Sequence, residues 1–219
     1  SKPVGFKMVV GDLKFFETLC ELVHKKGIDY CPDFISIDSA DGGTGAAPQP
    51  LMDYVGMQLR ESLPTVVNIV TSYGLRRYIK IIASGKLIVP GKAAWALSAG
   101  ADFIVTARGF LFSLGCIQAL QCNKNTCPTG ITTHNPDLQR GLVVADKAER
   151  VANYAEGLLQ GIGMIAHSCG VKEPRELTRS HVRIIENQSR SRLFSDVDPM
   201  PNVRPEFINM TEFQEAVTM

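Results

Sequence analysis

Three of the six cysteines lie close together in a segment of mostly polar residues. Five residues separate Cys116 from Cys122, four separate Cys122 from Cys127, and Pro128 follows the last cysteine directly. Thiolates are ligands of zinc and of iron–sulfur clusters, and a proline after the last cysteine also occurs in cluster-binding cysteine motifs. The spacing therefore predicts that Cys116, Cys122 and Cys127 bind a metal or an iron–sulfur cluster.

Two alternatives remain open for these cysteines. Buried cysteines often act only as small apolar side chains, which suits Cys20, because it lies among regularly spaced apolar residues. The second alternative is a structural zinc site with His134 as a fourth ligand. Six residues between Cys127 and His134 is not a usual zinc-finger spacing. The polar residues around Cys122 and Cys127 offer hydrogen-bond donors to sulfur and favour the cluster.

The rest of the sequence alternates short apolar runs with helical patterns. The expected strands comprise residues 2–10, 34–38, 80–83 and 102–106. The expected helices comprise residues 12–26, 60–72, 90–98 and a further segment that leads into the cysteines. Short apolar runs between helices are typical of parallel strands that are buried on both faces. The pattern therefore predicts an α/β fold with about four parallel βα units.

Two architectures fit four βα units: a doubly wound sheet and the second half of a (β/α)8 TIM barrel. Ser84-Gly85-Lys86 follows the third expected strand, and Ala107-Arg108-Gly109 follows the fourth. In TIM barrels the loops after strands seven and eight commonly bind phosphate. Either glycine taken singly fits a tight βα turn better, but the pair, each with a cation beside it, favours phosphate binding. We therefore predict strands five to eight of a TIM barrel, followed by C-terminal helices.

Two further features indicate a ligand near these loops. The glycines of Asp41-Gly42-Gly43-Thr44-Gly45 let the backbone approach a planar or anionic ligand closely, and an ordinary flexible loop is the alternative. Lys7 lies among apolar residues of the first expected strand. An interior lysine is costly unless it meets an anion or an electron-rich partner, so we predict a functional role for Lys7. An outward-facing strand position is its alternative.

Composition limits the classes of function and the compartment. The chain of 219 residues is 45% hydrophobic and 21% charged, with a formal net charge of +1. We expect no nucleic-acid or membrane partner, because neither the charge nor any apolar run supports one. Cluster thiolates need a reducing compartment, so we expect a cytoplasmic protein. The expected domains are a half-barrel over residues 1–188 and an extended tail over 189–219 with a short helix at 211–217.

Four segments closely resemble the FMN-binding domain of glutamate synthase, and above all the shorter glutamate synthase-like proteins without a fused glutaminase domain. They are FISIDSADGGTGAAP (34–48), IIASGKL (81–87), GADFIVTARGF (100–110) and GCIQALQCNKNTCPTGITTH (115–134). The resemblance extends to about residue 185. It implies a TIM barrel that carries FMN and a 3Fe-4S cluster. The implied reaction reduces 2-iminoglutarate, formed from 2-oxoglutarate and ammonia, to L-glutamate.

The resemblance also implies roles for single residues. Cys116, Cys122 and Cys127 match the cluster ligands, and Lys7 matches a catalytic lysine near the N1/O2 edge of the flavin, where positive charge stabilises the anionic reduced form. The implied cofactor-binding residues are Lys7, Asp41, Gly42, Gly43, Thr44, Gly45, Ser84, Gly85, Lys86, Ala107, Arg108 and Gly109. The proton donor to the imine stays open, because Asp41 and His134 fit helix-capping or turn roles equally well.

The sequence also departs from the family. The 219 residues include no N-terminal nucleophilic cysteine and no amidotransferase region. As the electron donor we expect ferredoxin or an NAD(P)H-oxidising subunit. The 219 residues include no counterpart of strands one to four, so we expect a fragment, or one piece of a split barrel, with an incomplete site. We also expect self-association or pairing with the missing half-barrel. A non-catalytic half-barrel interaction module with a structural zinc site remains an alternative. A phosphate-binding barrel of the IMP dehydrogenase type, with Cys127 as nucleophile, is another, although one cysteine would then suffice.

Overall fold

Four parallel strands form the central sheet, in a computed structural model that describes residues 2–41 and 47–208. The strands are β1 (Gly5–Val9), β2 (Phe34–Asp38), β3 (Lys80–Ser84) and β4 (Phe103–Val105). Each strand pairs with the next one in the sequence, in the order β1-β2-β3-β4. A doubly wound sheet reverses its order at a switch point, whereas a barrel keeps this sequential order. The fold is therefore α/β and consistent with part of a TIM barrel, as predicted.

A helix follows each strand of this sheet, and three more helices lie further along the described part of the chain. The helices are α1 (Lys14–Lys26), α2 (Leu59–Ser72), α3 (Pro90–Ala99), α4 (Ala107–Leu114), α5 (Pro136–Gln139), α6 (Val144–Ser168) and α7 (Phe194–Val197). Gly27 ends α1 and Gly100 ends α3, with φ angles of 102° and 115°. Glycine adopts these angles at little steric cost. None of the helices that the structure describes is long and apolar enough to cross a membrane.

The helices pack on one face of the sheet. Ile35 and Ile37 of β2 and Ile81 of β3 are fully buried on that face, in one hydrophobic core with Phe16 of α1 and Val66 of α2. Burial of an isoleucine side chain contributes about 1.5–3 kcal/mol. The core therefore fixes the strands from the helix side and sets the positions of the loops at their carboxyl ends.

The opposite face is more open than the sequence predicts. Its side chains form two rows across the four strands: Lys7, Ser36, Ile82 and Phe103, then Val9, Asp38, Ser84 and Val105. Phe103 and Val105 are each 45% exposed. The prediction of burial on both faces is wrong for β4. Inside a closed barrel such rows pack in layers against the remaining strands, and residues 2–41 and 47–208 supply only four strands to this sheet.

A β hairpin crosses the expected domain boundary at residue 188. Its strands are β5 (Arg183–Asn187) and β6 (Arg190–Leu193). Phe194 follows β6, is only 5% exposed, and stacks near Trp95 of α3 with ring centroids 6.4 Å apart. Residues 189–197 therefore differ from the extended tail that was expected, because Phe194 brings apolar surface to the core. The helix expected at 211–217 lies outside the described residues.

Candidate functional site

A cavity of about 190 Å³ lies at the carboxyl ends of the strands, where TIM barrels bind their ligands. Most of the predicted site residues that the structure describes line it: Lys7, Asp41, Ser84, Gly85, Lys86, Ala107, Arg108, Cys116 and Cys122. Gly109 and Cys127 do not line it. Gly42, Gly43, Thr44 and Gly45 fall outside the described residues. The fold therefore brings residues from β1, from the β2 and β3 loops, from α4 and from the cysteine segment to one place.

The first glycine turn places a lysine at the cavity. Ser84 ends β3, and a Cβ atom at Gly85 would overlap Ser39, so only glycine lets the two loops approach this closely. Lys86 has a φ of 47°, and its Nζ lies 2.9 Å from Asp53 Oδ1. Both side chains of this pair are more than one-third exposed. Exposed ion pairs contribute only about 0.2–1 kcal/mol, so Lys86 can exchange this contact for an anionic ligand.

The second turn opens helix α4 towards the cavity. Ala107 and Arg108 are the first two residues of α4, and both line the cavity. The first backbone N–H groups of a helix have no partner within the helix, and its dipole favours negative charge at that end. Arg108 forms no ion pair in the part of the chain that the structure describes. Within the described part of the chain, this end of α4 therefore offers a cation without an ion-pair partner and N–H donors without a partner in the helix.

Gly109 has a packing role instead of a place in the cavity lining. It is buried, and a Cβ atom at this position would overlap the hydroxyl group of Tyr154 on α6. Glycine at this position therefore allows α6 to approach α4 closely. The pattern Ala107-Arg108-Gly109 does not reveal this contact, because Tyr154 lies far along the sequence.

Lys7 forms an ion pair with Asp38, which is not among the predicted site residues. Its Nζ lies 2.8 Å from Asp38 Oδ2 at the end of β2. The Lys7 side chain is 54% exposed and that of Asp38 only 9% exposed. The expected buried position of Lys7 is therefore wrong, because its strand face is open, while the expected anionic partner is present. The aspartate at the end of the apolar run FISID marks a polar side chain at the carboxyl end of β2, but the sequence does not show that it pairs with Lys7.

Asp41 lies at the start of helix α2. Its Oδ2 accepts a hydrogen bond from Ser39 Oγ at 2.6 Å, and the Leu59 N–H points to both side chains, at 3.0 Å from Ser39 Oγ and 3.3 Å from Asp41 Oδ2. A carboxylate at a helix start is stabilised by the unpaired N–H groups and the helix dipole. Asp41 therefore holds the loop after β2 against α2 while it also lines the cavity.

The cysteine segment follows α4 directly. Gly115 ends α4 with a φ of 102°, and Cys116 comes next. Cys116 Sγ accepts the N–H of Gln118 at 3.4 Å, and Cys122 begins a short 3₁₀ turn, Cys122–Lys124. Cys116 and Cys122 both line the cavity, whereas Cys127 is 8% exposed and lies beside Thr129, with its Sγ 3.3 Å from Thr129 Oγ1.

The thiols differ in their acidity. Burial by itself raises the pKa of the Cys127 thiol, but hydrogen bonds from the Thr129 hydroxyl and from the backbone of Thr132 and Thr129 outweigh burial and lower the pKa to about 6. Burial raises the pKa of Cys20 to about 12, and that of Cys31 to about 11. Cys127 therefore has the thiolate character that a metal ligand needs, and Cys20 has the inert character expected of a core residue.

The positions of the cysteines and of His134 bear on the predicted metal site. Within residues 2–41 and 47–208, no group of three histidine, cysteine, aspartate or glutamate side chains is placed to hold a metal ion. The three predicted cysteines are thus not gathered at one point, and neither is the alternative zinc set that includes His134. The His134 N–H donates to the Asn125 side chain at 2.7 Å, which gives that residue a turn-stabilising contact.

A family model described as a conserved region in glutamate synthase matches residues 2–172. The chain belongs to the glutamate synthase family. The glutamate synthase large subunit-like protein YerD of Bacillus subtilis (strain 168) is 45% identical over 181 residues, which is 83% of this chain and 34% of that protein. The archaeal glutamate synthase (NADPH) of Methanocaldococcus jannaschii is 31% identical over 152 residues, 69% of this chain and 30% of that protein. The chain thus spans about a third of the length of these relatives.

The residues at the cavity fit the phosphate group of FMN. Lys86 and Arg108, one cation on each turn, lie there together with the start of α4. Gly85 allows the Lys86 turn to pack closely against Ser39. The volume of about 190 Å³ is below the roughly 300–1,000 Å³ of typical ligand pockets. The thiols supply the donor chemistry of an iron–sulfur cluster, but their placement in the described residues does not form a three-ligand site.

Proposed function

We propose that the chain is part of an oxidoreductase of the glutamate synthase type, which uses FMN to reduce 2-iminoglutarate to L-glutamate. The imine forms from 2-oxoglutarate and ammonia. The observation that carries the proposal is the convergence of Lys7, Lys86, Arg108 and the start of α4 on one cavity at the carboxyl ends of the strands. Membership of the glutamate synthase family supports the same conclusion.

Lys86, Arg108 and the first N–H groups of α4 would hold the phosphate of FMN. Hydrogen bonds between cationic groups and phosphate contribute about 1.5–3 kcal/mol each, and Arg108 offers its guanidinium without first breaking an ion pair in the described residues. Gly85 lets the Lys86 turn pack closely against Ser39, which fixes the position of that turn at the cavity. These groups bind and orient the cofactor.

Lys7 would lie beside the N1/O2 edge of the flavin ring. Bound FMN supplies the hydride chemistry, which no side chain of the cavity provides. The Lys7 ammonium stabilises negative charge at that edge, and Asp38 holds the ammonium in place from the neighbouring strand. The half-exposed position of Lys7 on the open sheet face supports this role, because a planar ring can reach it there.

Cys116, Cys122 and Cys127 remain the proposed ligands of a 3Fe-4S cluster. The lowered pKa of Cys127 and the position of Cys116 and Cys122 at the cavity support the assignment. Because the three thiols are not gathered in the described residues, we derive no electron-transfer step through the cluster. Ferredoxin or an NAD(P)H-oxidising subunit is the proposed electron donor, and the cytoplasm is the proposed compartment.

Flavin binding by the purified chain tests the proposal. We expect FMN fluorescence to be quenched on binding, with FMN bound more tightly than riboflavin because only FMN carries the phosphate. In the protein with a complete barrel, we expect glutamate from 2-oxoglutarate and ammonium under anaerobic conditions with a reduced dye, detected by mass spectrometry. A complete barrel that binds FMN but forms no glutamate would disprove the proposed reaction. Absence of any preference for FMN over riboflavin would disprove the phosphate site.

A further inference from the structure

Tyr154 of helix α6 bonds both of the turns that carry a cation. Its hydroxyl donates to the Ile88 carbonyl oxygen at 2.7 Å, and its oxygen lies 3.2 Å from Thr106 Oγ1. Ile88 belongs to the loop that follows Ser84-Gly85-Lys86, and Thr106 directly precedes Ala107-Arg108. A tyrosine hydroxyl has a single proton, which goes to Ile88, so the Thr106 hydroxyl is the donor in the second bond.

The position of the Tyr154 ring is set by its neighbours on α4. The ring meets Phe110 edge to face, with centroids 5.0 Å apart and an interplanar angle of 86°. Gly109 offers no side chain where the Tyr154 hydroxyl lies, and any Cβ there would overlap it. The ring also packs against the small apolar cluster of Ala93, Leu158 and Ile162. The hydroxyl is therefore held at one point between the two turns.

Tyr154 does not itself line the cavity. It acts on the cavity through Ile88, which lies two residues after Lys86, and through Thr106, which lies two residues before Arg108. Charge-assisted hydrogen bonds to phosphate depend on where the cations lie, and a binding site needs its groups held within about 0.5 Å of the productive geometry. A bond to each turn from one fixed hydroxyl supplies such a constraint.

We infer that Tyr154 is a positioning residue that sets the spacing between the Lys86 turn and the Arg108 turn, so that both cations can contact the same phosphate group. This inference rests on the proposed FMN site. The residue belongs to α6, outside the βα units whose loops line the cavity, which gives α6 a part in cofactor binding. Loss of the hydroxyl leaves the Ile88 carbonyl and the Thr106 hydroxyl without this partner and frees each turn to move separately.

Tyr154→Phe tests the inference, because it removes only the hydroxyl and keeps the ring packed on Gly109 and Phe110. Tyr30→Phe is the matched control, since Tyr30 is 60% exposed and does not line the cavity. We expect the Kd for FMN to rise about three- to tenfold in Tyr154→Phe, the effect of losing about one hydrogen bond, with the Kd for riboflavin unchanged. Equal losses for both flavins, or no loss for FMN, would overturn the inference.

A double-mutant cycle separates positioning from general destabilisation. If Tyr154 acts through Lys86, the effect of Tyr154→Phe on FMN affinity should largely vanish in a Lys86→Ala background. Additive effects would contradict a positioning role. Hydrogen exchange without flavin provides an independent measurement: residues 85–89 and 106–109 should both exchange faster in Tyr154→Phe and not in Tyr30→Phe. Faster exchange in neither segment, or in only one, would exclude the link between the turns.

The outcomes also separate this inference from the proposed function. If the unaltered chain prefers FMN to riboflavin and Tyr154→Phe leaves that preference intact, the proposed function stands and the inference fails. If the unaltered chain shows no such preference, the proposed phosphate site fails and the phosphate role of Tyr154 fails with it. In that case the exchange measurement still decides whether the hydroxyl couples the two turns.

Discussion

The ammonium group of Lys7 lies 2.8 Å from the carboxylate of Asp38, on adjacent strands of the open sheet face. The carboxylate is almost buried, whereas the lysine side chain is 54% exposed. A carboxylate at this distance offsets much of the positive charge that Lys7 presents to the cavity. The two residues therefore act as a pair, and the field at the proposed flavin edge depends on both.

Replacement of Asp38 by asparagine should make the reduction potential of bound FMN more positive. The variant keeps the shape of the side chain but removes the negative charge, so Lys7 stabilises the anionic reduced flavin more strongly. We expect a rise of about 30 mV, which for a two-electron couple corresponds to about 1.4 kcal/mol. A redox titration against a reference dye measures it. Lys7→Met should shift the potential in the opposite direction, and equal potentials in all three proteins would refute the prediction.

The positions of the strands could be predicted because each strand is a short apolar run, and because glycines that end helices and glycine–cation turns lie between the runs. Gly27 and Gly100 mark the ends of α1 and α3, and the glycine–cation turns mark the carboxyl ends of β3 and β4. These signals are local in the sequence. They therefore indicate which loops meet at the cavity without any knowledge of how the helices pack.

The remaining features depend on contacts between distant residues. The ion pair of Lys7 with Asp38 follows from the register of β1 with β2, and the contact of Gly109 with Tyr154 follows from the packing of α6 on α4. Neither register nor helix packing can be read from one sequence. The open face of β4 is not predicted for a related reason. A continuous apolar run predicts burial on both faces, but it does not show which segment of the chain covers each face.

Lys86→Ala should weaken FMN binding far more than riboflavin binding. Removal of one charge-assisted hydrogen bond to phosphate costs about 1.5–3 kcal/mol, or roughly 10- to 150-fold in Kd. Lys92→Ala is the control, because Lys92 is an exposed lysine of α3 that does not line the site cavity. Fluorescence titration with the two flavins measures both affinities. An equal effect of the two substitutions, or an equal loss of FMN and riboflavin, would place Lys86 away from the phosphate.

The Cys127 thiol should ionise with a midpoint near pH 6 in the folded protein. Because this pKa lies below the ordinary value of 9.0, the folded state gains stability from the thiolate above about pH 9, and this gain is lost as the pH falls through about 6. Thiolate absorbance near 240 nm, taken as the difference between the unaltered chain and Cys127→Ser, follows the titration. Thr129→Val should raise the midpoint, because it removes the hydroxyl that donates to sulfur. A midpoint near 9 in the unaltered chain would disprove the prediction.

Cys122→Ser should abolish binding of iron and of acid-labile sulfide after anaerobic reconstitution. Three thiolates suit a cluster that lacks one iron, since its vacant corner needs no fourth protein ligand. Cys169→Ser is the control, because Cys169 ends α6 and does not line the cavity. Chemical assay and low-temperature EPR of the oxidised protein measure the cluster. An unchanged cluster signal in Cys122→Ser, or bound zinc in place of iron in the unaltered chain, would exclude the proposed ligand set.

The open sheet face should make the 219-residue chain associate through β4. Val105 is 45% exposed on this face, in a row with Ser84 and Asp38, and apolar strand surface of this kind is normally covered by further strands. Light scattering should therefore report a mass well above the 23.9 kDa of one chain. Val105→Lys should reduce the mass, because an added charge opposes burial of the face. Met164→Lys, at a 70% exposed position on α6, should leave the mass unchanged. A single species of one chain's mass before any substitution would show that the face is stable without a partner.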